Sequence, residues 1–320
     1  MRLSLAKRAK GVVSLAVSAV LAVGLLPVFP AQATAFADEV AAGEGGGEIL
    51  VVLDEAKTAR SGLSVESFTT ESVQSLRSAG VESSEVVIED GKIGTVLKAE
   101  VSSDRTVDQA IEAVSRLPYV SYAQKNYTYK LIDSVPSDES LSTGTSAGTS
   151  AGTSGESAIE PLATTTNDEG LSRQYYLKDS ASNGSNVLNA WDVARAEGTV
   201  TVAVLDTGAY VNHEDLAANL DTDNMWDAYN RTERGTITSS YNPNGDVHGH
   251  GTHVAGIVAA EANNAKGIAG ASYNARVLPI KVFDDSSNPG CETSTLAEAY
   301  EYLFDLVSQG KVEGLHVINM

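Results

Sequence analysis

Short blocks of alternating apolar and polar residues in the first half of the chain predict a small domain. Period-two alternation predicts strands, and apolar residues that recur every three or four positions predict helices. The predicted elements are, in chain order, a strand at Glu48–Asp54, a helix at Thr69–Ser78, strands at Glu85–Glu89 and Thr95–Val101, a helix at Val107–Leu117 and a strand at Ser121–Ile132. This order is a split β-α-β layout, ferredoxin-like in outline. We therefore expect a small α+β domain over residues 48–132.

A second set of apolar blocks follows and predicts an α/β domain over residues 167–320. Its predicted elements are a helix at Val187–Ala196, strands at Thr199–Leu205 and Arg276–Phe283, a helix carrying Leu296, Tyr300, Leu303, Phe304 and Val307, and a strand at Leu315–Met320. Strands that alternate with helices favour a parallel sheet covered on both faces. Pro279 cannot donate a ladder hydrogen bond and would normally favour an edge strand, but we keep the prediction of a strand at Arg276–Phe283.

The segments outside these two domains have simpler compositions. Residues 133–166 are rich in Ser, Thr, Gly and Glu, and they predict a flexible linker open to proteolysis. At the N-terminus, basic residues precede the apolar run Val12–Phe29, and A-x-A sites follow it. This pattern indicates an export signal over residues 1–37. A retained membrane anchor is disfavoured because a glycine and two prolines interrupt the end of the run, so we expect no membrane span after signal removal.

Composition narrows the classes of function. The 320 residues allow about two domains. The 42 acidic residues against 22 basic ones give a net charge of -20, which opposes binding to nucleic acid. A ferredoxin-like layout also occurs in RNA-binding domains, but the strand Thr95–Val101 lacks the aromatic residues that stack on bases. Cys291 is the single cysteine, so stability must come from packing or a bound ion rather than from an intrachain disulfide.

Two residues carry the clearest candidate chemistry. Asp206 follows an apolar strand directly, at the end of a parallel strand where functional groups gather. His250 opens a stretch of small and apolar residues, Gly251–Ala260, that predicts a closely packed helix. A carboxylate that accepts the Nδ1 proton of an imidazole leaves Nε2 free to deprotonate a hydroxyl. Taken alone, Asp206 could also be a turn or cap residue.

A metal site is the alternative for the same segment. His248, His250 and His253 are closely spaced, and imidazole is a common zinc ligand. No glutamate accompanies them in an H-E-x-x-H pattern, so we disfavour metal binding. We expect His253 instead to be a buried, hydrogen-bonded packing residue. His213 and His316 are assigned no role.

The motifs together resemble those of subtilisin-like serine proteases, the peptidase S8 family. The resemblance rests on V-L-D-T-G ending at Gly208, H-E-D-L at His213–Leu216, H-G-T-H-V-A-G at His250–Gly256, N-N-A-K-G-I-A-G at Asn263–Gly270, L-P-I-K-V-F at Leu278–Phe283 and V-I-N-M at Val317–Met320. They occur in the family's order and cover about residues 167–320. The resemblance implies a subtilisin-like parallel-sheet domain.

The resemblance also implies roles for the two candidate residues. Asp206 would orient His250, and His250 would act as general base and then general acid in peptide hydrolysis through an acyl-enzyme. The serine, the oxyanion-hole asparagine and the pocket walls are expected after Met320, so the chain as given is expected to be inactive alone. Gly-Thr-Ser repeats in the linker do not supply the nucleophile, because no apolar helix follows to hold a hydroxyl in place; their serines are Ser146, Ser150 and Ser154. A non-enzymatic binding or inhibitory product is the second hypothesis.

The N-terminal domain and a calcium site also follow from the resemblance. Residues 48–132 look like the family's inhibitory propeptide, an intramolecular partner expected to be removed by cleavage within the linker. Polypeptides are the implied substrates. A structural calcium ion is implied, with side-chain ligands from Asp168, Asp215 and Asn264 and main-chain carbonyl ligands from Glu261, Lys266 and Ile268.

Overall fold

The computed structural model describes residues 47–54, 74–131, 165–178, 184–232, 235 and 245–320. The predicted export signal, the start of the first predicted helix and nearly all of the predicted linker with its three serines lie outside the described residues. The chain divides into two compact units. The first contains Met1–Lys130, Asp227–Glu233 and Lys281–Val312, and the second contains Leu131–Trp226, Arg234–Ile280 and Glu313–Met320. Segment 281–312, predicted with the C-terminal domain, therefore groups with the first unit.

The first unit contains a four-stranded antiparallel sheet. Its elements are β1 (Glu48–Leu53), β2 (Val81–Gly91), β3 (Gly94–Val101), α1 (Val107–Val114) and β4 (Val120–Lys125), and residues 74–78 are helical. The sheet order is β2-β3-β1-β4. Thr106 caps α1 in a reciprocal capping box with Gln109, which satisfies two otherwise unpaired main-chain donors. Buried residues of α1 and of segment 74–78 cover one face of the sheet: Leu76, Ala110 and Val114.

The other face of this sheet packs on a helix from later in the same unit. Leu50, Ile88 and Val96 form an apolar cluster with Ala297 of α4 (Thr293–Ser308). The predicted strand Ser121–Ile132 is divided, because the chain leaves β1 after Asn126. Its second part, β5 (Thr128–Lys130), pairs antiparallel with β9 (Gly290–Glu292), directly before α4.

The second unit is built on a parallel sheet. It contains α2 (Val187–Ala190), β6 (Thr201–Asp206), α3 (His250–Ala259), β8 (Arg276–Lys281, whose last residue is assigned to the first unit) and β10 (Leu315–Asn319). With the two-residue β7 (Trp226–Asp227), the sheet order is β10-β6-β8-β7, and β10 pairs parallel with β6. All six residues of β6 are buried. The predicted α/β class with a parallel sheet is therefore confirmed.

One local prediction for this unit was confirmed and one was wrong. The strand kept around Pro279 is present as β8, which lies between β6 and β7. The predicted helix Val187–Ala196 stops at Ala190, and Trp191 is then buried with its indole N–H donating to Ala271 O.

Short 3₁₀ turns at Leu171–Arg173, Tyr175–Leu177 and Ala217–Asn219 complete the second unit. Leu177, Trp191 and Tyr273 form a small apolar cluster, on which Leu171 and Tyr176 of the first two turns pack. Within the described part of the chain, no helix has the length and apolar character needed to cross a membrane.

Candidate active site

The end of β6 and the start of α3 bring together the two residues that the sequence analysis selected. Asp206 is the last residue of the buried strand and His250 is the first residue of the helix. Their side chains are 2.7 Å apart, from Asp206 Oδ1 to His250 Nδ1. The carboxylate is buried, with 6% of its side chain exposed, whereas 40% of the imidazole is exposed. The pair therefore has one end in the core and one end open to solvent.

This geometry fixes which imidazole nitrogen can act as a base. A carboxylate at hydrogen-bond distance from Nδ1 favours the tautomer with the proton on Nδ1, which leaves the lone pair on Nε2. Asp206 Oδ1 also accepts a 2.7 Å hydrogen bond from the N–H of Thr207, so the carboxylate is held in place from the main chain. No hydroxyl of a described residue hydrogen-bonds His250.

Two glycines allow the strand end and the helix start to approach so closely. A Cβ on Gly251 would lie 2.2 Å from Gly208 O and 3.1 Å from Asp206 Cβ. A Cβ on Gly208 would lie 2.0 Å from Gly245 O, and Gly208 has φ of 113°, which a side chain disfavours. The spacing between Asp206 and His250 thus depends on missing side chains at these positions.

A third acidic residue, which the sequence analysis missed, lies beneath the helix start. Asp246 is buried and accepts hydrogen bonds from the N–H groups of His248, Gly249 and Thr252 and from the hydroxyls of Thr207 and Thr252. Burial acts to raise the pKa of Asp246, but the hydrogen bonds outweigh it and hold the pKa below its usual range. An acidic residue just before a predicted helix start is the sequence signal that could have revealed it.

The other two histidines of the segment take separate positions. His253 lies on the exposed side of α3, so the prediction of a buried packing residue was wrong. The cause is the helical period, which turns position 253 outward while Gly251 and Ala255 face the core. His248 Nε2 is buried and has no hydrogen-bond partner among the residues that the structure describes. Among the described residues no cluster of three or more His, Cys, Asp or Glu side chains could hold a metal ion.

The residues implied as calcium ligands meet around the loop that follows α3. Asp168 accepts hydrogen bonds from the N–H groups of Asn263 and Asn264, and Asp215 accepts them from the Nδ2 group of Asn264 and the N–H of Ile268. Both carboxylates are buried. The backbone of the loop turns sharply, with positive φ at Asn263, Ala265 and Gly267.

The donor chemistry of this loop fits a hard cation. Its main-chain carbonyls at Glu261, Lys266 and Ile268 accept no hydrogen bond from any residue in the described ranges. Asn264 Oδ1 accepts from Lys266 N–H while its Nδ2 faces Asp215, and a half-turn of this amide would place an oxygen beside the carboxylate instead. Carboxylate, amide and carbonyl oxygens are the ligands that calcium prefers.

Comparison with known proteins finds a family model that matches the C-terminal part of the chain. Residues 197–320 match the model of the subtilase family, Peptidase S8. The chain is 36% identical over 180 residues to an extracellular protease of Xanthomonas campestris pv. campestris, covering 49% of this chain and 29% of that protein. It is 37% identical over 131 residues to a thermophilic serine proteinase of Bacillus sp. strain AK1, covering 41% and 28%.

A further relative is thermitase of Thermoactinomyces vulgaris, 40% identical over 99 residues, which covers 31% of this chain and 31% of thermitase. The chain thus spans less than a third of the length of each of these three relatives. The matched segment contains Asp206, His250 and the loop 261–268.

Proposed function

We propose, from the match of residues 197–320 to the subtilase family model, that this chain comes from a secreted serine endopeptidase precursor. The observation that carries the proposal is the 2.7 Å contact between the buried Asp206 carboxylate and His250 Nδ1. Such a contact is what general-base activation of a serine hydroxyl requires. Secretion is supported by the basic and apolar N-terminal pattern and by similarity to a protein described as an extracellular protease.

In the proposed reaction, His250 Nε2 removes the proton of a serine hydroxyl while the serine oxygen attacks the peptide carbonyl. The imidazolium then gives that proton to the leaving amine, and an acyl-enzyme remains. Water attacks the acyl-enzyme with His250 again as base, which releases the second product and restores the serine. Asp206 stabilises the positive charge on the imidazolium during both steps. We assign the nucleophile to a serine after Met320.

Peptide hydrolysis by the protein translated from the complete gene tests this proposal. We expect the wild type to hydrolyse a labelled casein and His250→Ala to lose the activity. His316→Ala is the matched control, because His316 lies on β10 and, within the described residues, its Nδ1 hydrogen-bonds only Gly314 O. Equal hydrolysis by the wild type and His250→Ala would overturn the proposal. A wild type without activity would favour the binding or inhibitory alternative.

The proposal includes an inhibitory propeptide over residues 48–132. The antiparallel order β2-β3-β1-β4 is compatible with the ferredoxin-like layout expected for it. Within the first unit, Lys98 forms ion pairs with Glu48 at 3.1 Å and with Glu292 at 2.9 Å, and Asn126 Oδ1 accepts the N–H of Ser294 at the start of α4. These contacts support a partner role for the segment. Sequencing the N-terminus of the secreted product tests it, with cleavage expected within 133–166.

A structural calcium ion completes the proposal. The residues that would hold it are Asp168, Asp215, Asn264 and the carbonyls of Glu261, Lys266 and Ile268. A bound cation would neutralise two buried carboxylates and fix a loop that follows α3 directly. It would therefore stabilise the helix that begins at His250, without taking part in the reaction.

A further inference from the structure

We propose that Asp246 is a positioning residue that fixes the direction of the His250 imidazole by setting the hydrogen-bond polarity of two threonine hydroxyls. The proposal rests on the proposed function only in taking His250 as the base. Asp246 lies four residues before His250, and its carboxylate is buried beneath the start of α3. It has no role in the resemblance that led to Asp206 and His250.

The two hydroxyls connect the strand exit to the helix start in a reciprocal way. Thr207, on the strand exit, donates to Asp246 Oδ1 at 2.8 Å and accepts the N–H of Gly251 at 2.9 Å. Thr252, on the helix, donates to Asp246 Oδ2 and accepts the N–H of Tyr210 at 2.9 Å. Each segment thus supplies a hydroxyl that receives an amide of the other, and both hydroxyls meet on one carboxylate.

The charge of Asp246 decides the direction of these bonds. A hydroxyl has one proton and two lone pairs, so a hydroxyl that donates to the carboxylate must present lone pairs to the amide. An asparagine at position 246 would place an NH₂ group against one hydroxyl. That hydroxyl could no longer donate to residue 246 and would have to accept from it instead. The same NH₂ group would also face main-chain N–H donors, those of His248 and Gly249 on one side or that of Thr252 on the other, and it cannot accept from them. The hydrogen bonds that hold the helix start on that side would then be lost.

Thr207 connects the hydrogen bonds of Asp246 to the imidazole of His250. The N–H of Thr207 donates to Asp206 Oδ1, the same oxygen that lies 2.7 Å from His250 Nδ1. A change in the position of Thr207 therefore moves the oxygen that orients the imidazole. At the other end, Asp246 accepts the N–H of Gly249 and of Thr252, which flank His250 and hold the first turn of the helix. Asp246 is thus connected to both members of the pair.

The test uses the full-length protein and a readout independent of activity. NMR with ¹⁵N-labelled histidine follows the downfield Nδ1–H proton of His250, identified by its absence in His250→Ala. We expect Asp246→Asn to move this signal. Where the wild type hydrolyses peptides, kcat should fall by about 10-fold or more, as for other residues that orient a catalytic group, with KM unchanged. Asp221→Asn is the matched control, since Asp221 is equally buried in the same unit and bonds to Asn224.

A second pair of variants keeps the test decisive if Asp246→Asn does not fold. Thr207→Ser keeps the hydroxyl and is expected to leave the His250 signal in place, whereas Thr207→Val is expected to move it. The inference is overturned if Asp246→Asn or Thr207→Val changes the signal no more than Asp221→Asn does. If the signal moves but the wild type hydrolyses no peptide, the positioning role stands and the peptidase proposal fails.

Discussion

Buried carboxylates lie beside a sharp turn in two places, the pair site at Asp206 and His250 and the loop 261–268. The hydrogen-bond partners of these carboxylates differ between the two places. At the pair site, Asp206 and Asp246 receive hydrogen bonds from hydroxyls, an imidazole and amides, all from the protein. In the loop, Asp168 and Asp215 receive only amide donors, and the nearby main-chain carbonyls of Glu261, Lys266 and Ile268 remain open within the described residues.

This difference distinguishes carboxylates that the protein's own hydrogen bonds stabilise from carboxylates that need a bound cation. Hydroxyl donors let the pair site satisfy its carboxylates internally, so its geometry is set by hydrogen bonds and close packing. Main-chain carbonyls without hydrogen-bond donors beside two buried carboxylates leave electrostatic repulsion that a cation relieves. We therefore expect the pair site to respond to substitutions and the loop to respond to calcium.

Removing the charge at Asp206 should give the largest effect. Asp206→Asn keeps the size of the side chain but presents an amide to Nδ1, which favours the wrong tautomer of His250. The equivalent change in a serine protease of another fold lowers kcat by about 10⁴-fold, and we expect a similar loss in the full-length protein. Steady-state hydrolysis of a peptide substrate measures it. A loss no greater than that of the buried control Asp221→Asn would contradict the assignment.

Adding a methyl group between strand and helix should give the next largest effect. The Cβ of Gly251→Ala would meet the main chain at Gly208 O, so strand and helix must separate, at a cost of about 3 kcal/mol or more. Gly256 lies in the same helix with nothing within 4 Å of an added Cβ, so Gly256→Ala should be neutral or stabilise by about 0.5–1 kcal/mol. Urea unfolding compares the two variants. Equal stability would show that the close approach is not needed.

Calcium removal should destabilise the loop 261–268 alone, and it should lower the stability of the protein by a smaller amount. A site held at about 100 times its Kd contributes about 2.7 kcal/mol, so a chelator should lower Tm by several degrees. Asp215→Asn should have a low Tm that no longer depends on calcium, while Asp221→Asn should keep the dependence. Differential scanning calorimetry with and without the chelator measures this. A wild-type Tm that is the same in both would exclude a structural calcium ion there.

Acid should gradually reduce the contribution of Asp246 to the free energy of unfolding. This is the smallest of the expected effects. Its pKa is lowered in the folded protein, so its stabilisation is fully present above the unfolded pKa of about 3.9 and is lost as pH falls through the lower folded value. The difference in unfolding free energy between the wild type and Asp246→Asn should be about 1–2 kcal/mol at neutral pH and should narrow in acid. Urea midpoints over a pH series measure it, and a gap that is constant with pH would contradict the ionised state.

The sequence predicted those parts of the fold and site that depend on local pattern. Strand and helix periods indicated the parallel sheet, and Asp206 and His250 were placed by their positions at a strand end and a helix start. Asp246 was missed because its importance comes from Thr207, 39 residues earlier in the chain, and no local period reports such a contact.

Tertiary contacts also explain the wrong predictions. His253 was expected to be buried because its neighbours are small and apolar, but the phase of α3 was set by Gly251 and Ala255 packing inward. The strand predicted at Ser121–Ile132 was divided because Asn126 and the residues after it pair with a segment about 165 residues later.

Labelling the full-length protein with a fluorophosphonate probe tests the central claim most directly, because the probe reacts with a serine only when a base activates it. Mass spectrometry of the labelled peptide then identifies the serine. We expect the label on a serine after Met320 in the wild type and no label in His250→Ala. A label on Ser146, Ser150 or Ser154, or equal labelling of His250→Ala, would contradict the role of Asp206 and His250.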